Sequence, residues 1–274
     1  MKIGILDSGI GGLSVLNEAF HLLPGQEYIF YADTQHVPYG LKTEEQILSY
    51  VDDIIRFFID KKVDSVVIAC NTATSVAVAE MRKKYQLPII GMEPAVKPAV
   101  ENKEDDDKRV LVMATPVTIR EKKLKNLLVR VDKDHSVDLL EMPQLVTFAE
   151  RCEYDTEEVR KYLTDKFKDF DADKYDALVL GCTHFNYFKP MYRELLGKNI
   201  HLIDGNYGTI HHLGDVLGLE ISGEDKELVF DQPQDIVVGY NTTYYESGNE
   251  ITDNKSLLKI ASMLSRLEYV RKIK

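Results

Sequence analysis

Cysteine is scarce in this chain: three residues in 274, at Cys70, Cys152 and Cys182. An odd number with no Cys-x-x-Cys spacing excludes a disulfide framework and predicts free thiols in a reducing compartment. The histidines lack zinc-ligand spacing, so no metal site is expected. Long hydrophobic runs are missing too, which excludes a membrane-spanning helix. The first strand begins at Lys2-Ile3-Gly4-Ile5-Leu6, leaving no room for a charged leader with a cleavable apolar segment; the expected location is cytoplasmic. Positive charge is in deficit, with 34 Lys and Arg against 45 Asp and Glu and a net charge of −11. Such a surface repels phosphate backbones and anionic membranes, so neither nucleic acid nor membrane is an expected partner. A small anionic substrate stays open, because a site can be locally positive.

What is present is alternation. Ile3–Leu6 reads as a buried strand, Gly9, Gly11 and Gly12 as a turn, Leu13–Leu22 as a helix, and Tyr28–Tyr31 as a strand. Thr43-Glu44-Glu45-Gln46 has capping-box form, and Ile47, Tyr50, Val51, Ile54, Ile55 and Phe58 then recur at helical spacing. Val63–Ala69 reads as a strand, Ser75–Tyr85 as a helix, and Pro88–Ile90 as a short strand. The spacing predicts βαβ units and a mainly parallel sheet, with sites beyond the carboxyl ends of the strands.

After the polar run Glu101–Lys108, expected to be a solvated connection, the pattern restarts. "RVLVMATPVTIRE" (109–121) echoes "KIGILDSGIGGLS" (2–14), and the stretch 175–204 echoes 63–92. Each half carries an apolar strand ending in a cysteine and small polar residues: "VVIACNTAT" and "LVLGCTHF". An internal duplication is expected, far longer than a solenoid repeat. The fold class is therefore α/β, with two pseudo-symmetric α/β domains. Their mainly parallel sheets are sandwiched by helices, and the active site lies in the cleft between them. The expected boundaries are 1-97 plus 209-274 for the first lobe and 98-208 for the second. The C-terminal part contributes a strand candidate at Ile236-Val237-Val238 and a helix with Leu257, Leu258, Ala261, Leu264 and Leu267, expected to pack on the first lobe.

Two facing lobes would put Cys70 and Cys182 on opposite walls. A lone cysteine is usually core; a pair at repeat-equivalent positions with polar sequels calls for chemistry. Each precedes a predicted helix start, where free N–H groups stabilise a thiolate. Two acid–base groups on opposite sides of one carbon suit racemisation, in which one thiolate removes the α-proton and the other thiol reprotonates the opposite face. Cys152 has no equivalent and reads as structural or incidental.

At these residues the chain resembles glutamate racemase, of the aspartate/glutamate racemase family. The motifs are "DSGIGGLSV" (7–15), "YADTQHVPYG" (31–40), "ACNTAT" (69–74), "GMEPAVKPA" (91–99) and "GCTHF" (181–185). The resemblance implies a cofactor-independent isomerase that supplies D-glutamate for peptidoglycan, with glutamate as its small-molecule partner. Members of that family often dimerise, in more than one arrangement, so the resemblance leaves a homodimer open without assigning one. Cys70 and Cys182 match the catalytic cysteines, and Asp7 and Ser8 the pair beside the first. Tyr39 and Gly40 match a backbone-rich substrate loop. Asn71 and Thr72 match binders near the first cysteine, Thr183 and His184 binders near the second, with His184 also within reach of that thiol. Glu150 matches a glutamate supporting the second lobe's chemistry. The chain departs from the pattern at Asn186, where the family usually has proline, at 204–212, and around Cys152.

Other readings compete. A racemase of aspartate or another amino acid keeps the same fold and chemistry. A NAD-binding oxidoreductase is suggested by Gly9-x-Gly11 after a strand with Asp33 about 20 residues on, although Ser14 occupies the third glycine position. A non-catalytic binding protein leaves the thiols without a use, and no lysine stands in a convincing pyridoxal context.

Overall fold

The computed structural model describes residues 1–105, 107–224 and 226–273; Asp106 of the polar run lies outside the described residues. In the first half, strands β1 (Lys2–Asp7), β2 (Glu27–Ala32), β3 (Ser65–Ile68) and β4 (Ile89–Gly91) alternate with helices α1 (Leu13–Leu22), α2 (Glu44–Asp60), α3 (Asn71–Lys84) and α4 (Val96–Glu101). The second half repeats the plan. It comprises β5 (Arg109–Ala114), α5 (Pro116–Arg120), α6 (Lys122–Val131), β6 (Val137–Glu141), α7 (Pro143–Glu150), α8 (Glu157–Phe167), β7 (Tyr175–Leu180), α9 (Lys189–Leu196), β8 (His201–Ile203) and α10 (Asn206–Leu217). The chain then adds β9 (Thr242–Glu246), β10 (Asn249–Glu250) and α11 (Asn254–Arg271).

Among the described residues the strands form two sheets, ordered β10-β9-β2-β1-β3-β4 and β6-β5-β7-β8. The order β2-β1-β3-β4 is repeated by β6-β5-β7-β8, with every pair inside those sets parallel. The duplication is thus topological as well as sequential. β1 and β5 are equivalent, and so are β3 and β7, whose carboxyl ends lead to the two cysteines. A parallel sheet sends all those ends to one side, which is where the site must form.

The apolar stripe of α2 buries Ile47, Val51, Ile54, Ile55 and Phe58 against the sheet, each worth roughly 1.5–3 kcal/mol. Its start is the predicted capping box: Thr43 Oγ1 accepts the Gln46 N–H at 3.3 Å, while Gln46 Oε1 accepts the Thr43 N–H at 3.0 Å. One continuous core runs from Ile5 and Leu16 through Phe185 and Tyr187 to Leu264, joining the lobes behind the cleft. The polar run after Glu101 lies in turns and largely exposed backbone.

Two predicted elements need correction. Ile236-Val237-Val238 is no strand: Asp235–Gly239 forms a wide helical turn, closed by the Tyr240 N–H on the Asp235 carbonyl at 3.1 Å. Only Ile236 is buried there, and Val238 is 77% exposed. The C-terminal strand is Thr242–Glu246, parallel to β2, whose β-branched and aromatic residues fit a pleated, half-buried surface. Helix α3 begins at Asn71, four residues before the predicted Ser75, because Cys70 itself caps it.

Candidate active site

β1 ends at Asp7, fully buried below the turn Gly9–Gly12. Its Oδ2 accepts the Gly12 N–H at 2.7 Å and the Thr183 hydroxyl, from the second lobe, at 3.2 Å. Burial pushes this carboxyl up to about 6; the His184 charge opposes the shift, that of Glu150 adds to it, and the two hydrogen bonds hold it back.

Cys70, at the end of β3, is 6% exposed. Its Sγ accepts the Ala73 N–H at 3.4 Å and its thiol lies 3.7 Å from Ser8 Oγ as donor. The N–H groups of a helix start favour a thiolate. Burial and the neighbouring Asp7 charge win instead: they push Cys70 up, against the Ala73 N–H, and Cys182 pushes in the same direction.

Cys182 follows β7 in extended conformation and is 8% exposed. Instead of a regular helix, a tight helical turn, Thr183–Phe188, follows it before α9, and the thiol makes no cap bond. His184 Nδ1 lies 3.8 Å from Cys182 Sγ, while His184 Nε2 is 2.6 Å from Glu150 Oε1 at the end of α7. Burial works to strip the imidazole of its proton, but Cys182 and Glu150 outweigh it and hold His184 well above its ordinary value. Asn186, standing where the family has proline, ties the turn by donating to the Thr183 carbonyl at 3.3 Å.

The glycine turn of the first lobe closes on this pair. The Ile10 N–H donates to Glu150 Oε1 at 2.8 Å, and the Gly11 N–H approaches His184 Nε2 at 3.3 Å. A methyl group on Gly9 would collide with the Glu150 carboxylate, and one on Gly11 with His184 and Thr183. The glycines that suggested a dinucleotide loop are instead needed for close approach of the other lobe. Asp33 is likewise engaged by protein groups: it accepts the Tyr39 hydroxyl at 2.6 Å and Ser247 Oγ at 3.3 Å, with His36 Nδ1 at 2.8 Å. Tyr39 therefore has its hydroxyl tied down, and the Gly40 backbone next to it lies against Thr115 of the second lobe.

Thr72 Oγ1 meets Thr115 Oγ1 at 2.9 Å and Thr118 Oγ1 at 3.2 Å, a hydroxyl cluster spanning α3 and the start of α5. Thr115 and Thr118 were not read from the sequence as site residues. The signal was there, since Thr115 follows β5 as Ser8 follows β1. Asn71 and Asp7 each keep a buried oxygen, Oδ1 in both, without a hydrogen-bond partner among the described residues. The structure thus brings Asp7, Ser8, Cys70, Asn71, Thr72, Thr183, Cys182, His184 and Glu150 to one interlobe region. Cys152 stands aside, half-buried at φ +59, where its N–H closes α7 on the Ala149 carbonyl at 2.8 Å. Among the described residues no cluster of three His, Cys, Asp or Glu could hold a metal, and no helix is long and apolar enough to cross a membrane.

Residues 8–212 match the family model described as Asp/Glu/Hydantoin racemase. The chain is 46% identical over 273 residues to a glutamate racemase of Campylobacter concisus, covering 100% of both chains. It is 48% identical over 278 residues to one of Campylobacter curvus, again with 100% coverage of both. Among solved structures, a glutamate racemase of Campylobacter jejuni superimposes with a TM-score of 0.76 at 27% identity, covering 100% of each chain.

Proposed function

The chain belongs to the Asp/Glu/hydantoin racemase family, and from that premise we propose that it interconverts L- and D-glutamate by proton transfer between Cys70 and Cys182. The observation that carries the two-thiol mechanism is the pairing itself. Two buried thiols end equivalent strands of a duplicated fold, and each has its own acid–base companion: Asp7 beside Cys70, and His184 with Glu150 beside Cys182.

Glutamate presents two carboxylates, one ammonium and a weakly acidic α-proton. The buried Oδ1 atoms of Asp7 and Asn71 are acceptors suited to the ammonium. The hydroxyls of Ser8, Thr72, Thr115 and Thr118, with backbone N–H groups at Tyr39 and Gly40, are donors suited to the carboxylates, while the Thr183 hydroxyl is engaged with Asp7. With both thiols more than nine-tenths buried, the lobes must part to admit substrate and close before reaction. In the closed cleft the Cys182 thiolate, paired with the His184 imidazolium, removes the α-proton from one face. The Cys70 thiol donates from the other, leaving the α-carbon inverted. The reverse reaction starts with Cys70 as thiolate and Asp7 as the group that takes up its proton. The D-glutamate produced serves peptidoglycan synthesis, and a reducing cytoplasm suits a mechanism that needs free thiols.

The test is direct. With the reduced protein and no added cofactor, the circular dichroism signal of L-glutamate should decay to zero, and Cys70→Ser or Cys182→Ser should abolish the decay. Undiminished racemisation by either variant would refute the two-thiol relay. Aspartate, one methylene shorter, should react more slowly by roughly 10–200-fold.

A further inference from the structure

Helix α11 packs on α1 of the first lobe and on the Thr183–Phe188 turn of the second, and one of its side chains bonds to that turn and to the loop after α7. The Arg266 guanidinium donates through Nη2 to the Tyr187 carbonyl at 3.1 Å and to Asp155 Oδ1 at 2.8 Å. It lies over the Tyr154 ring at 5.5 Å, and Tyr154 stacks flat on Tyr187 with centroids 4.8 Å apart. The Arg266 side chain is 19% exposed and its bond to the Tyr187 carbonyl is partly sheltered from water, whereas Asp155 stands at the surface.

The two segments it holds are those that carry the second half-site. Tyr187 closes the helical turn that begins after Cys182 and includes His184. Tyr154 and Asp155 end the loop leaving α7, whose last residue is Glu150. The 2.6 Å bond between Glu150 and His184 spans the same two segments. Tyr187 continues the link into the first lobe, its hydroxyl donating to the Ile10 carbonyl at 3.1 Å. A planar cation with several fixed donors can hold a carbonyl and a carboxylate at once while stacked on a ring; an ammonium cannot.

We infer that Arg266 is a positioning residue for the Cys182 half of the site, setting the geometry of the Glu150–His184 pair by clamping the Tyr187 turn to the loop at 154–155. The inference rests on the two-thiol reading above. It makes the C-terminal helix part of the catalytic apparatus without contact to substrate, and it confines the effect to one of the two thiols.

That confinement provides the test. Arg266→Ala and Arg266→Lys are compared with the unaltered enzyme in both directions, using ordinary and α-deuterated L- and D-glutamate. Enantiomers have equal free energy, so kcat/KM must fall equally in both directions, on the order of tenfold for Arg266→Ala and less for Arg266→Lys. The deuterium isotope effects on kcat/KM should diverge. The effect should rise for the enantiomer deprotonated by Cys182, whose step has become more limiting, and fall for the enantiomer deprotonated by Cys70. A merely structural loss lowers the rate without moving either isotope effect. Isotope effects that stay constant or move together, or a kcat/KM within twofold of the unaltered enzyme, would overturn the proposal. If Arg266→Ala does not fold, Arg266→Lys decides by the same criteria. Cys182→Ala is run alongside: racemisation by that variant would refute the two-thiol reading itself, an outcome separate from the Arg266 result.

Discussion

Glu150 Oε1 lies 2.6 Å from His184 Nε2 and 2.8 Å from the Ile10 N–H, so one carboxylate oxygen of the second lobe serves both the imidazole of its own lobe and the glycine turn of the other. Its two partners respond differently to substitution. Glu150→Gln keeps an acceptor for Ile10 but removes the charge that helps hold His184 protonated. The alkaline limb of kcat/KM should therefore move to lower pH, with a loss at the optimum on the order of tenfold. A pH profile followed by circular dichroism checks this; an unmoved limb would mean the charge is immaterial.

Asp7 carries a stability consequence of definite sign. Its folded-state value, about 6, is above the ordinary 3.8, so the folded state binds the proton more tightly than the unfolded chain. The benefit is complete below pH 3.8 and is lost as pH rises through about 6. At neutral pH the buried carboxylate then costs roughly 2–3 kcal/mol relative to acid conditions. Asp7→Asn can still accept the Gly12 N–H and lacks this titration. Its urea midpoint should exceed that of the unaltered protein at pH 7.5, with the gap closing towards pH 4, while racemisation is lost.

Cys152 is the most accessible of the three thiols, and its side chain lies beside Tyr154 of the Arg266 clamp rather than at Cys70 or Cys182. Iodoacetamide should label it before Cys70 or Cys182, as read by peptide mass spectrometry. Cys152→Ser should retain kcat/KM within about twofold. Inactivation that tracks Cys152 labelling alone would contradict this assignment.

Lys62, two residues beyond the end of α2, is exposed at φ +58, with the Val63 N–H bonded to the Phe58 carbonyl at 3.2 Å. Glycine adopts that left-handed conformation without steric penalty. Lys62→Gly should raise stability by about 0.5–1 kcal/mol in chemical denaturation, with activity unchanged.

The sequence was most legible where local pattern and tertiary role coincide. The strands around Ile5 and Val67, the stripe of α2 and the Thr43 capping box need only period and neighbour identity to be read. The cysteines stood out because the duplicated topology places each at the end of an equivalent strand. Long-range pairing hid the rest. Ile236–Val238 is the more apolar run, but Thr242–Glu246 has β2 waiting beside it in register from Tyr28–Thr242 to Ala32–Glu246. Thr115 and Thr118 gain meaning only from Thr72, more than 40 residues earlier across the cleft. Which thiol gives up its proton is not legible in the sequence, because a helix start shows there whereas burial beside Asp7 does not.

The bonds from Thr183 to Asp7, from Ile10 to Glu150 and from Tyr187 to Ile10 all run between lobes. Neither lobe holds both thiols. On the two-thiol reading, separation of the lobes leaves Asp7 and Ser8 with Cys70, and His184 and Glu150 with Cys182, but it breaks these cross-links and takes the opposite wall away. A molecule that enters but cannot draw the walls together meets two sulfurs with no proton circuit between them. Selectivity on such a design is exercised at closure, before any bond to the α-carbon is broken.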